Sequence, residues 1–193
     1  MIKPSHQTKL ATAFAAIGLL LLACIWLLPA GLTVNDGLSY YGVHWVTAPL
    51  FTLALALYAW AMLLVCNRLS AKYSLPIIAK AGIVMAICAV GLILTPYQLS
   101  TVLHVLHDSV GATLFGTEMA LAAWLTLSSR RVIDGLLLII QFSAGVVAFL
   151  SLPNYLQLEL VGQVIFQLAF LSLVYQHLAT PSVDEPHALP GPS

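Results

Sequence analysis

Apolar residues fill this chain in long blocks, and each block ends at a short polar or proline-bearing break. The blocks cover residues 10–28, 46–65, 76–94, 102–127, 132–152 and 160–178. A hydrocarbon layer about 30 Å thick takes about 20 helical residues to cross, so six such blocks predict six membrane-spanning helices. Pro29, Pro96 and Pro153 each follow an apolar run, where proline stops a helix. Pro76 opens one, where its missing N–H costs nothing. The pattern predicts an all-α, polytopic integral membrane protein, a compact bundle of six transmembrane helices. Residues 1–9 precede the bundle, residues 10–178 form it, and residues 179–193 follow as a proline-containing tail expected to be disordered.

Composition sharpens this reading. Of 193 residues, 61% are hydrophobic and 7% charged, and mean hydropathy is +0.98. Soluble domains carry about 25% charged residues, so lipid must be the solvent for most of this surface. Net charge is zero, which points away from nucleic acid and toward membrane lipids as partners. All seven basic residues (Lys3, Lys9, Arg68, Lys72, Lys80, Arg130, Arg131) fall on one side of a six-span topology. Positive charge stays cytoplasmic, so both termini are expected inside a bacterial inner membrane. Cys24, Cys66 and Cys88 lie within apolar runs and read as small packing residues. Leu21–Ala23 before Cys24 has the look of a lipoprotein processing site, but the apolar continuation after it favours an uncleaved first span. Neither an internal repeat nor a mid-span proline is evident, and both are common in secondary transporters.

The fourth span interrupts this greasy pattern. At 100° per residue, Ser100, His104, His107, Asp108, Gly111, Phe115 and Glu118 share one helical face. Counting back from Arg130 and Arg131 places His104, His107 and Asp108 near the outer boundary and Glu118 near the midplane. A carboxylate there costs at least about 2.5–3.5 kcal/mol to insert, so Glu118 is expected to face protein. Gln141 and Gln167 reach similar depth, and Glu118, Gln141 and Gln167 are expected to form a mid-membrane polar layer.

The first outer loop adds Asp36, Ser39, Tyr40, Tyr41 and His44, with turn chemistry at Asn35-Asp36-Gly37 and a second bend at Gly42. Tyr97, Gln98, Asn154, Tyr155 and Glu159 are further outer polar groups. Asp36, Ser39, Tyr40, His44, His104, His107 and Asp108 thus form a candidate outer pocket. Three explanations fit it: an interfacial girdle with a His104–Asp108 pair, a divalent-metal site on His104, His107 and Asp108, or a pocket for a lipid or amphipathic molecule. No cofactor is required by the pattern. Haem is disfavoured because His6, His177 and His187 lie away from the cluster.

The loop Asn35-Asp36-Gly37, Ser39, Tyr40-Tyr41-Gly42, the segment Leu94 to Gln98 and the start of span four at Leu106 to Phe115 carry a likeness to a known group. They resemble a bacterial family of six-span membrane proteins of unknown function, distantly similar to the Frag/DRAM/Sfk group. The matching positions are Asp36, Gly37, Ser39, Pro96, His107, Gly111, Ala112 and Phe115. The resemblance implies a six-helix inner-membrane bundle and, through the eukaryotic group, contact with lipid; it transfers no catalytic residue. The chain is also similar in residue types to ceramidase-like and progestin-receptor-like zinc hydrolases. It departs from them in having six spans and only His177 near the end of the last. The sequence therefore favours a non-enzymatic lipid-binding membrane protein. A metal-dependent hydrolase using His104, His107 and Asp108 and a proton-coupled transporter using Glu118 are the alternatives.

Overall fold

Six long helices carry the chain back and forth, as the apolar blocks require. The computed structural model describes residues 6–34, 36–151 and 157–179. Residues 1–5, Asn35, Pro153, Asn154, Tyr155, His187 and the tail from 180 onward lie outside the described residues.

The long helices are α1 (His6–Leu27), α3 (Ala48–Tyr73), α4 (Pro76–Leu94), α5 (Thr101–Ser129), α6 (Val132–Ser151) and α7 (Glu159–Ala179). A one-turn helix, α2 (Tyr40–Val43), follows two 3-10 turns, Pro29–Leu32 and Gly37–Ser39. All six long helices are long and apolar enough to cross a membrane, and the described residues contain no strand. The protein is a polytopic, all-helical membrane protein.

The bounds differ from the apolar blocks in one informative place. The second block ends at residue 65, yet α3 continues to Tyr73 because Cys66 and Leu69 keep its inner face buried past the polar Asn67 and Arg68. Ser74 then stops it in the left-handed region at φ 53°. Gly42 forms no separate bend; it lies inside α2. α5 runs for 29 residues, about 43 Å, longer than the hydrocarbon layer demands.

α3 packs chiefly against α4 and α1, α4 against α5, and α6 against α7. Ala61, Met62, Val65, Met85, Ala89, Leu125, Phe170 and Leu173 form the central core. At the end holding α2, a second cluster joins Cys24, Tyr41, Phe51 and Leu160. α6 and α7 approach closely at Gly162, where a Cβ would stand 2.8 Å from the Ala144 carbonyl oxygen and 3.0 Å from Ala148 Cβ. Small residues let two membrane helices gain dispersion contacts where lipid offers no hydrophobic drive. Outward, Leu19, Ile87, Val102, Ile139 and Phe149 stay exposed, as lipid-facing positions do. Trp26 and Trp45 are exposed at the α2 end, where amphipathic rings suit an interface.

Candidate functional site

The polar side chains inside the bundle gather at three levels. α5 passes through all of them, presenting His107, Glu118 and Ser129 at intervals of eleven residues. Eleven residues turn a helix through three revolutions plus about 20° and raise it about 16 Å, so the three side chains point nearly one way.

At the α2 end, His107 sits between the loop and α4. Its Nδ1 lies 2.7 Å from the Thr95 carbonyl oxygen, and its Nε2 lies 2.7 Å from Ser39 Oγ. The carbonyl can only accept, so Nδ1 carries the ring proton and Nε2 is left as an acceptor for the Ser39 hydroxyl. The loop reaches this position because its backbone is anchored to α7. Leu38 N–H donates to Gln163 Oε1 at 2.7 Å, and Gln163 Nε2 donates to Glu159 Oε1 at 2.8 Å. Gly37 has φ +56°, and a Cβ there would meet Gln163 and Glu159 at about 2.5 Å. On the other flank, Thr47 Oγ1 donates to the Tyr41 carbonyl at 2.8 Å and ties α2 to the start of α3.

Ser39 and His107 line a small crevice whose walls are Phe51, Leu92, Ile93 and Pro96. Its cavity volume is about 20 Å³, room for one small polar group. α4 supplies about 28 Å of helix up to Thr95, so the crevice lies at the end of that candidate span. A larger groove between α1 and α7, lined by Phe14, Leu168 and Leu171, has no comparable polar pair: its Ser172 hydroxyl is spent on the Leu168 carbonyl.

Other members of the expected outer pocket are placed elsewhere. His104 and Asp108 pair with each other at 3.3 Å, but their side chains are 55% and 63% exposed. The polar stripe on α5 is wider than the helix contact that buries it: Asp108 stands about 100° round from His107 and falls outside. Tyr40 and His44 stack on one another, ring centres 4.1 Å apart, with His44 Nδ1 on the Tyr40 carbonyl. Asp36 is exposed beside Tyr97, whose phenol is pushed up by burial and by that acid. His104, His107 and Asp108 therefore do not converge. Among the described residues, no group of three His, Cys, Asp or Glu side chains is arranged to hold a metal.

At the middle level, Glu118 is fully buried. Tyr58 donates to its Oε1, and Gln167 Nε2 lies 3.1 and 2.9 Å from the two carboxyl oxygens. Gln141 is also fully buried, but its amide has no partner among the described residues. The expected layer thus joins Glu118 to Gln167, with Tyr58 rather than Gln141 as the third member.

The third level, at the opposite end, was not anticipated from the sequence. His177 Nε2 and Asp134 Oδ2 are 3.0 Å apart and essentially buried. Ser129 also donates to Asp134, while the Tyr73 phenol meets His177 Nδ1 at 2.7 Å. Lys72 Nζ donates to the His177 carbonyl at 2.5 Å. The one sequence signal was an acid, Asp134, at the start of an apolar run, where a charge demands a partner.

Along α5 the buried residues between levels are apolar, with Leu114 between His107 and Glu118, and Leu121, Ala122 and Leu125 between Glu118 and Ser129; on α7, Gln163 of the upper level stands one turn from Gln167 of the middle one. Searches of protein-family models, of curated proteins and of solved structures find no match to this chain.

Proposed function

We propose that this multi-pass membrane protein binds a single-chain amphiphile at the α2 end, with one small polar group seated on Ser39 and His107 and the acyl chain lying along Phe51, Leu92 and Ile93. The supporting observation is the crevice itself, where the Ser39–His107 pair borders Phe51, Leu92 and Ile93 at the α2 end of the bundle. Because the Ser39 proton is directed to His107 Nε2, the free lone pairs of Ser39 Oγ face the cavity as acceptors. A hydroxyl-bearing lipid such as a monoacylglycerol suits them better than an anion. The membrane is a bacterial inner membrane, and the end carrying Lys9, Arg68, Lys72, Arg130 and Arg131 is cytoplasmic, which puts the crevice on the outer leaflet.

Two other readings have less support. A metal hydrolase needs a free histidine nitrogen, and both nitrogens of His107 are engaged. A proton path through Glu118 needs titratable steps on either side; Gln163, one turn from Gln167 on α7, is an amide, and the buried α5 residues between the levels, Leu114, Leu121, Ala122 and Leu125, are apolar. Thr52 is exposed at the crevice mouth, so Thr52→Trp blocks the site without disturbing the core. Native mass spectrometry of wild-type protein incubated with a monoalkylglycerol, the ether analogue of a monoacylglycerol, is expected to show one retained lipid, lost in Thr52→Trp. Equal retention by both proteins would reject the site.

A further inference from the structure

Ser39 and His107 do more than line a crevice. A serine hydroxyl 2.7 Å from the unprotonated nitrogen of an imidazole, whose other nitrogen is held by a fixed acceptor, is the arrangement that activates a serine for attack on an acyl carbon. The orienting acceptor here is the Thr95 backbone carbonyl at 2.7 Å, in the place usually taken by a carboxylate. Thr95 is itself fixed, its hydroxyl donating to the Gly91 carbonyl at 2.7 Å. With Nδ1 held on that carbonyl, the imidazole presents Nε2 to Ser39. Tyr97 packs its ring against His107, centroids 5.5 Å apart, and closes the ring's far side. The pair is nevertheless not sealed, because both residues border the crevice.

We infer that Ser39 is a nucleophile and His107 its general base, and that the site transfers the acyl group of a membrane-borne ester to water. This deepens the amphiphile-binding reading and rests on it for the substrate class. In the step, Ser39 Oγ forms a bond to the ester carbonyl carbon as its proton passes to His107 Nε2. The carbon–oxygen bond of the ester then breaks, and the departing alcohol takes the proton from Nε2. Water adds to the acyl-serine by the same route, releasing the carboxylic acid and restoring the serine. Ester and water are consumed, alcohol and acid are formed, and nothing is oxidised.

The geometry also limits the substrate. The whole crevice has a volume of about 20 Å³, room for the ester carbonyl alone, so the rest of the substrate has to lie outside it and a slender monoacyl ester fits better than a bulky one. A bulky headgroup has to project outward past α2 and the exposed Trp45. Neither a metal nor a third ionisable residue is needed. Asp108 and His104, the acid and imidazole nearest in sequence, stay exposed and do not take part.

The test uses the full chain in lipid nanodiscs and a long-chain alkyl fluorophosphonate, which phosphonylates a serine only when that serine is activated. Peptide mapping is expected to find a single adduct on Ser39, absent in Ser39→Ala. His107→Gln keeps a partner for the Ser39 hydroxyl but offers no base. It is expected to slow labelling by about 100-fold or more, the contribution typical of a general base, while melting near the wild-type temperature. Thr52→Trp is expected to block labelling, and excess monoacylglycerol to slow it in wild type. If wild-type protein retains monoacylglycerol yet leaves Ser39 unlabelled, the nucleophile is refuted and the binding site stands. If Ser39 is labelled but a monoalkylglycerol ether, which has no ester to cleave, is not retained, the dyad stands and the binding reading fails. Labelling that proceeds as fast in His107→Gln as in wild type removes His107 as base.

Discussion

Individual residues show how little room the loop at the α2 end leaves for change. Gly37 is left-handed and packed against Gln163 and Glu159, so a methyl group meets both backbone strain and two side chains that hold the loop. Gly37→Ala is expected to cost about 2 kcal/mol, within the usual range for strain plus a broken anchor. Gly18, half-buried in the middle of α1 with nothing within 4 Å of an added Cβ, is the control. There the same substitution should be neutral or stabilise by about 0.5–1 kcal/mol, because alanine favours helix over coil. Thermal unfolding in detergent separates the two.

Tyr41 gives a pH test at the same scale. Burial, and secondarily Cys24 and Tyr40, push its phenol from 10.0 up to about 12, and its hydroxyl has no partner among the described residues. Below pH 10 the group is protonated in folded and unfolded chains alike and adds no pH dependence. As pH rises from 10 toward 12 the unfolded chain ionises first, so stability falls across that window. Tyr41→Phe should lessen the fall and, by removing an unpaired hydroxyl, match or exceed wild-type stability at neutral pH. A steeper alkaline loss in the variant would contradict the assignment.

Among the elements, α5 is the organising helix because its eleven-residue spacing supplies one polar side chain to each level. The lowest level ties it to its neighbours: Ser129 at its end, Asp134 at the start of α6, His177 on α7 and Tyr73 on α3 form one connected set. Removing a single member leaves a buried polar group uncompensated. His177→Ala is expected to destabilise the bundle by about 3–5 kcal/mol, and the His177→Ala, Asp134→Ala double variant by less than the sum of the singles. Additive losses would show that the two side chains act independently.

This scale also explains what could be read from sequence. The six helices were legible because a membrane imposes long apolar runs, and even the polar loop carried its turn residues in plain view. Which part of the α5 stripe is buried was not legible, since it depends on how α4 and α7 lean against α5. His107 and Asp108 are adjacent in sequence yet end inside and outside. Tyr58 and Thr95 were missed for a related reason: a tyrosine in an apolar run looks like packing, and the Thr95 ligand is a backbone carbonyl, which every residue possesses.

For the whole molecule, the three polar levels act as cross-links in a solvent that supplies none, and apolar residues of α5 stand between them. That division leaves the ends of the bundle as the places where chemistry can meet the membrane. Among the described residues, the α2 end combines a cavity, apolar walls and the Ser39–His107 pair. The proposed amphiphile would reach that cavity from the bilayer.

The most direct measurement is photocross-linking of the wild-type chain in vesicles with a monoacylglycerol bearing a diazirine near its ester. The account predicts adducts concentrated on Phe51, Leu92, Ile93 and Pro96 and suppressed by Thr52→Trp. Adducts spread evenly over lipid-facing positions such as Leu19, Ile87 and Phe149, and unchanged in that variant, would contradict it.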